Sequence, residues 1–179
     1  MRKRRLLYAI CLILLTAGVP AVRLYQRFPL WKSDPVVQAR TAYADGHWAE
    51  AARRSREILR TQPNDTEELL LLARASAREG KDDTAEAIYR RLGTVKMVAE
   101  DLFLLGRGLI SRNQTGPGLA SLRAARDLDP NHAETVQALA SRALSEESLI
   151  PAERDAIQLS GQPGWELPGK ILLARVRRQ

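Results

Sequence analysis

The sequence predicts an all-α fold built from repeated pairs of antiparallel helices, with a separate hydrophobic helix at the N-terminus. Of the 179 residues, 45% are hydrophobic but only 5% are aromatic. Most of the apolar residues are Ala and Leu, which favour helix over other structures. A motif also recurs every 33 or 34 residues, a length that is typical of a helix-turn-helix unit. Beyond the N-terminal helix, about 145 residues remain, enough for one domain.

The N-terminal segment, residues 1–31, is both basic and hydrophobic. Residues 1–5 read M-R-K-R-R, and residues 6–22 contain no charged side chain. As a helix this run is about 25 Å long, and the aromatic residues after it extend it toward the ~30 Å of a bilayer core. The segment therefore predicts a transmembrane anchor. A cleaved secretory signal is the alternative, because Val19-Pro20-Ala21 resembles a small-residue cleavage site.

The basic residues around the hydrophobic run predict its orientation. Four of them precede the run, whereas Arg23, Arg27 and Lys32 are spread over ten residues after it. By the positive-inside rule, the N-terminus is then cytoplasmic and the body extracytoplasmic, which is the periplasm in a bacterium. After signal cleavage the body would instead be secreted. The single cysteine, Cys11, lies within the run, so we expect neither an intrachain disulfide nor a cysteine-based metal site.

Positive charge is concentrated at the two ends of the chain. The formal net charge is +7, from 28 basic and 21 acidic residues. Seven basic residues lie before residue 33 and four lie in the last ten, whereas every acidic residue lies between these ends. Residues 33–169 therefore carry 17 basic and 21 acidic side chains. A nucleic-acid-binding domain needs positive charge on its folded surface, so we expect no nucleic-acid partner.

Four repeated units can be aligned, and their first residues are Lys32, Thr66, Ala99 and Ala133. The seventh and eighth positions pair a large residue with a small one in three units: Leu72-Ala73, Leu105-Gly106 and Leu139-Ala140. The twentieth position holds a small residue in all four: Ala51, Ala85, Gly118 and Ala152. Pro63 and Pro130 separate units, because proline cannot continue a helix. The pattern predicts helices that approach closely within each unit.

In these features the chain resembles the tetratricopeptide repeat (TPR) family. The resemblance extends from Lys32 to about residue 166, and the unit that begins at Ala99 fits best. It implies a short right-handed solenoid over residues 32–168. Residues 169–179 would then form a capping helix or the start of a fifth unit. Members of this family bind protein or peptide partners, so the resemblance implies an adaptor or scaffold and not an enzyme.

In the TPR family, the first helix of each unit lines a concave groove. The resemblance places an apolar row and a basic row in that groove, and the two rows are Val36, Leu70 and Phe103, and Arg40, Arg74 and Arg107. Guanidinium groups bind carboxylates and an apolar strip accepts apolar anchors, so these six residues form the candidate partner-binding site. The alternative is that Glu67, Glu100 and Glu134 neutralise the arginines, leaving a salt-bridged scaffold.

No motif predicts a catalytic, cofactor-binding or metal-binding site. His47 and His132 lie in different turns, 85 residues apart, and no glycine-rich phosphate loop is present. Adjacent carboxylates occur at several places, for example at Asp82-Asp83, Glu100-Asp101 and Glu146-Glu147. Adjacent side chains point about 100° apart on a helix, so these pairs are predicted to be solvated helix ends and not acid–base pairs.

The sequence therefore predicts a membrane-tethered scaffold that holds a protein or peptide partner. One alternative is an accessory or regulatory subunit of an envelope enzyme complex. Another is a protein that assembles with itself through an apolar C-terminal edge formed by Ile171, Leu172 and Leu173. The basic C-terminal residues predict either the polar end of a solenoid or attraction to anionic lipid.

Overall fold

The computed structural model describes residues 34–93 and 96–179, which are helical with short connections and contain no strand. The helices are α1 (Pro35–Ala44), α2 (Trp48–Leu59), α3 (Thr66–Arg78), α4 (Asp82–Leu92), α5 (Ala99–Ser111), α6 (Thr115–Leu128), α7 (Ala133–Ser145), α8 (Leu149–Ser160) and α9 (Glu166–Val176). Within this part of the chain the predicted all-α fold is confirmed. The predicted anchor, residues 6–22, lies outside the described residues, and no described helix has the length and hydrophobicity of a membrane span.

The helices form successive pairs, each of which packs on the next. α1 pairs with α2, α3 with α4, α5 with α6, and α7 with α8, while α9 packs on α7 and α8. Helices α3, α5 and α7 begin at Thr66, Ala99 and Ala133, where the repeat pattern places the units. Helix α9 begins at Glu166, three residues before the segment assigned to it from sequence. The architecture is that of a TPR-like helical solenoid.

Aspartate side chains define where three of the first helices begin. Asp34 Oδ1 accepts a hydrogen bond of 2.9 Å from the Val36 amide, and Asp65 Oδ1 accepts one of 3.0 Å from the Glu67 amide. In α5 the bond runs backward, because Asp101 Oδ2 accepts from the Val98 amide at 3.0 Å. Each carboxylate satisfies an amide that has no partner within its helix and places negative charge at the positive helix end.

The turn within each unit contains one residue with a positive φ. These residues recur with the spacing of the units, and they are Gly46 (77°), Gly80 (79°), Asn113 (63°) and Glu147 (57°). The next amide bonds back to the end of the first helix in every case, as from His47 to the Ala42 carbonyl at 2.8 Å. The backbone of the turn is thus conserved along the array, although only the first two units have the glycine that this conformation favours.

We expect the substitution Glu147→Gly to raise the free energy of unfolding by about 1 kcal/mol, because a side chain in the left-handed region is strained and glycine is not. Urea denaturation followed by circular dichroism measures the change. Ser145→Gly is the matched control, since Ser145 is the last residue of α7 and glycine should destabilise a helix there. An unchanged or lower unfolding midpoint for Glu147→Gly would contradict the prediction.

The two helices of the third unit approach most closely where two glycines face each other. A Cβ added to Gly118 would lie 2.8 Å from the Gly106 carbonyl oxygen and 2.5 Å from Ile110 Cγ1. Both glycines are buried, and Leu122 packs beside them. The small residues at the eighth and twentieth positions of the unit therefore allow the backbones of α5 and α6 to touch.

Candidate functional site

Helices α1, α3, α5 and α7 form one surface, on which side chains from alternate units meet. Tyr43 Oη of α1 donates to Glu100 Oε1 of α5 at 2.5 Å. Arg78 of α3 donates to Glu100 Oε1 at 2.9 Å and to Glu134 Oε1 of α7 at 2.5 Å. Side chains that are two units apart can reach each other where a stack curves toward them, so this surface is the inner side of the array. We call these four residues the inner-face network.

Aromatic rings surround the guanidinium of Arg78. Its Cζ lies 5.8 Å from the Trp48 ring centroid and 6.0 Å from that of Phe103, within the range of cation–π attraction. Trp48 also packs against Tyr43, with ring centroids 4.8 Å apart. The planar guanidinium thus joins two carboxylates by hydrogen bonds and two aromatic rings by their faces, a combination that lysine could not provide.

Hydrogen bonds and charges within the network keep the Glu100 carboxyl ionised. Burial of Glu100 works to raise the pKa of its carboxyl, but hydrogen bonds from Tyr43 and Arg78 outweigh that effect and hold the pKa below its usual value. Burial, followed by the hydrogen bond to Glu100, raises the pKa of the Tyr43 hydroxyl. The tyrosine therefore remains protonated and acts as a donor, and Glu100 remains a carboxylate across the neutral pH range.

A second ion pair is buried between the second and third units. Arg74 Nε and Nη2 donate to Asp101 Oδ1 and Oδ2 at 2.7 and 2.8 Å, and the Asp101 side chain has no exposed surface. The Tyr89 hydroxyl donates to Asp101 Oδ1 at 3.3 Å. Burial opposes protonation of the guanidinium, but the hydrogen bonds to Asp101 outweigh it and raise the pKa of Arg74. This bidentate pair ties α3 to α5.

The same three positions in the preceding units are Arg40, Ser55 and Glu68, and there the ion pair is not formed. Arg40 is exposed, whereas the Glu68 side chain is buried and neither of its carboxyl oxygens has a hydrogen-bond partner. Ser55 is too short to fill the place of Tyr89, and its hydroxyl also lacks a partner. Burial raises the pKa of Glu68, and the nearby Ser55 hydroxyl lowers it by less, without a hydrogen bond of normal geometry.

In the following units the three positions are Arg107, Leu122 and Thr135, so no acid is available. The exposed Arg107 donates instead to the Ala77 carbonyl oxygen at 2.5 Å, with its Cζ 5.9 Å from the Phe103 ring centroid. The Thr135 hydroxyl is within 2.8 Å of His132 Nδ1. The three arginines of the row predicted from the sequence thus have different environments, because only the central one, Arg74, is paired with a buried carboxylate.

The structure separates the six predicted groove residues into three groups. Leu70 and Phe103 are 2% and 6% exposed and belong to the core, where they pack in one cluster. Arg74 forms an ion pair with Asp101. The accessible members are Arg40 and Arg107, which are exposed, and Val36, which is half-buried. A partner on this surface could therefore reach one cation in the first unit and one in the third.

Two of the expectations for carboxylates differ from what is observed. Asp101 is not a solvated helix end, because it is fully buried beneath Arg74. Glu100 and Glu134 do neutralise an arginine, but it is Arg78 and not a member of the predicted row. In the first helix of each unit, position three is rotated about 100° from position two, so its side chain points toward the core. This rotation is the sequence signal that could have predicted the burial of Asp101.

An open cleft of about 470 Å³ lies beside the network, between the starts of α5 and α7 and the end of α6. Its rim carries two exposed apolar side chains, Val98 and Leu128, which are 51% and 58% exposed. Glu100, Asp129 and His132 contribute polar atoms to its lining. The His132 ring also contacts Phe103, with centroids 5.5 Å apart. The cleft can accept one apolar side chain with a polar group beside it.

Residues 34–93 and 96–179 contain no group of three or more His, Cys, Asp or Glu side chains arranged to hold a metal ion. His47 is an exposed turn residue at the start of α2. His132 precedes α7, and its ring contacts are those to Thr135 and Phe103. The side chains described on this surface can contribute charge, hydrogen bonds and apolar contact to a bound molecule.

Comparison with known proteins agrees with the fold. No protein-family model and no curated protein matches the sequence. Among solved structures, the chain is similar to one described as the crystal structure of MamA protein, with a TM-score of 0.57 and 19% identity. The match covers 80% of this chain and 85% of that chain. At this identity the similarity concerns the fold alone.

Proposed function

We propose that this protein is a membrane-tethered TPR-like scaffold that holds a segment of a partner protein on its inner face and carries out no chemistry of its own. The observation that supports this most directly is the inner face itself, where α1 and α5 present the exposed Arg40 and Arg107 and a polar network joins α1, α3, α5 and α7. A solenoid surface of this kind recognises an extended segment through several separate contacts.

The partner segment that fits this surface is acidic, with at least one apolar side chain. Arg40 and Arg107 lie two units apart and form no ion pair with a carboxylate of the described residues, so each can bind a carboxylate of the segment. The cleft rimmed by Val98 and Leu128 provides a place for an apolar anchor next to Glu100 of the network. Charge would orient the segment, and the apolar anchor would add affinity.

The predicted transmembrane anchor would place this binding at a membrane. Residues 6–22 would confine the scaffold to the bilayer, with the N-terminus cytoplasmic and the repeats outside the cytoplasm. A partner held by the repeats is then restricted to the membrane surface, and its effective concentration for other membrane components rises without any new contact. The function in this proposal is localisation of the partner.

The test has two stages. First, the full-length protein is crosslinked in its native cells, and captured proteins are identified by mass spectrometry. Second, recovery of the main partner is measured for the variant Arg40→Glu/Arg107→Glu. Arg74 is left unchanged, because a glutamate there would face the buried Asp101 and disrupt the fold. We expect at least a tenfold loss of capture, since each reversal removes a charge-assisted contact and adds repulsion.

The matched control is Arg56→Glu/Arg60→Glu, which reverses two exposed charges near the end of α2. This variant should retain capture, and both variants should keep the helicity of the parent by circular dichroism. Full capture by Arg40→Glu/Arg107→Glu would refute the inner-face site. Recovery of copies of the same chain and no other protein would indicate self-assembly, and a captured enzyme whose activity depends on this chain would indicate an accessory subunit.

A further inference from the structure

Helix α9 ends the described chain and has one unpartnered side. Gly169, Leu172 and Val176 face inward, and the helix packs on α7 and α8. The opposite side is open to solvent, with Leu167 and Ile171 exposed by 68% and 51%. We call this side the α9 outer face, and its residues are Leu167, Lys170, Ile171, Ala174, Arg175 and Arg178.

The residues of the α9 outer face are arranged as an apolar line with basic edges. Leu167, Ile171 and Ala174 are separated by four and three residues, so they follow one line along the helix. Lys170 and Arg175 lie on opposite sides of that line, because each residue turns the helix by about 100°. This is the distribution of a helix that lies in a membrane interface.

The cations of this face are not neutralised by the part of the chain that the structure describes. Lys170, Arg175 and Arg178 form no ion pair with any described residue. Arg177, on the adjacent side, approaches Glu153 at 3.8 Å, and both of those side chains are largely exposed. The last ten residues contain four basic side chains and no acidic one. An anionic partner would therefore complete the charge balance of this end of the solenoid.

We propose that the α9 outer face binds an anionic phospholipid surface. Leu167 and Ile171 would enter the boundary between headgroups and acyl chains, while Lys170, Arg175 and Arg178 reach the phosphates. The same face of a second copy is a poorer occupant, because symmetric pairing would bring like charges together. Lipid is also the partner that a predicted anchor on the same chain would keep at high local concentration.

This arrangement would attach the solenoid to the bilayer at both ends. Helix α1 begins close after the predicted anchor, whereas α9 lies at the other end of the described helices. A single basic helix binds lipid weakly and reversibly, so a second attachment is needed for it to dock stably. Docking of α9 would hold the array along the membrane. It does not depend on the partner segment proposed for the inner face.

The test places an environment-sensitive fluorophore on Ala174→Cys in the full chain, in which Cys11→Ser removes the natural cysteine. The protein is reconstituted into vesicles of phosphatidylcholine, alone or with about one third phosphatidylglycerol. We expect a blue-shifted, brighter emission in the anionic vesicles only, reversed by about 0.5 M NaCl because salt screens surface charge. The same label at Ala49→Cys, an exposed residue of α2, reports the background.

The charge dependence separates lipid docking from other causes of the signal. The variant Lys170→Gln/Arg175→Gln/Arg178→Gln should lower the docking constant about 100-fold, at about fivefold per cation. The matched control, Arg56→Gln/Arg60→Gln/Lys96→Gln, removes three exposed cations elsewhere and should keep the signal. Equal emission in neutral and anionic vesicles would overturn the proposal. A signal that rises with protein concentration in the absence of lipid would also overturn it, in favour of pairing between copies.

Discussion

Replacing Asp101 by Ala is expected to lower the free energy of unfolding by about 3–5 kcal/mol, the largest effect of any substitution considered for this protein. The carboxylate has no exposed surface and accepts bonds from Arg74, Tyr89 and the Val98 amide. Its removal leaves a largely buried guanidinium without its counter-ion and a helix start without its acceptor. Leaving these buried groups unpaired lowers the free energy of unfolding by more than the hydrogen bonds themselves contribute to it.

Asp83→Ala is the matched control, because Asp83 also pairs with an arginine, Arg112, at 2.6 Å, but its side chain is 89% exposed. It should cost less than about 1 kcal/mol. Both values come from urea denaturation followed at 222 nm. Replacing both partners, as Arg74→Met/Asp101→Leu, should recover part of the stability, since no buried charge then remains. A loss below about 1 kcal/mol for Asp101→Ala would contradict the structure.

Gly118→Ala should lower the free energy of unfolding by about 1–3 kcal/mol, the second-largest effect. The new methyl group would lie 2.8 Å from the Gly106 carbonyl oxygen and 2.5 Å from Ile110 Cγ1, so α5 and α6 must separate. Alanine normally stabilises a helix relative to glycine, and the prediction therefore has the opposite sign to helix propensity. Thermal denaturation of the variant beside the parent measures the change.

Gly116 is the matched control in the same helix, because nothing lies within 4 Å of a Cβ added there. Gly116→Ala should be neutral or raise the free energy of unfolding by up to about 1 kcal/mol, as helix propensity predicts. If Gly118→Ala behaved like Gly116→Ala, the close contact between α5 and α6 would be disproved.

Much of the fold is predictable from the sequence because repetition makes weak signals reinforce one another. The starts at Thr66, Ala99 and Ala133 are each ambiguous alone, but their spacing of 33 and 34 residues implies one backbone geometry. The same spacing appears in the turn residues with positive φ, including Glu147, whose side chain gives no indication of it. The repeat frame, more than residue preference, determines the conformation there.

The candidate site was less predictable than the fold. Alignment to the TPR repeat assigns residues to a face of the array, but it does not say which side chains on that face form pairs. Arg74 and Arg107 occupy equivalent positions, yet one is bound to Asp101 and the other is exposed. The difference arises from the residue at position three of the following unit. The roles of Tyr43 and Arg78 could not be read from the sequence, since each contacts a residue that is 57 or 56 positions away.

The inner-face network has a consequence for how this array can unfold and evolve. Repeat arrays are usually modular, because each unit touches only its neighbours and stability is a sum of local terms. Here Tyr43 joins the first unit to the third, and Arg78 joins the second to the fourth. Loss of one unit would break contacts belonging to others, so the array should melt in a single cooperative transition. Insertion or deletion of a whole unit between Tyr43 and Glu134 would separate these long-range partners, so the order of the described units is tied to the contacts among them.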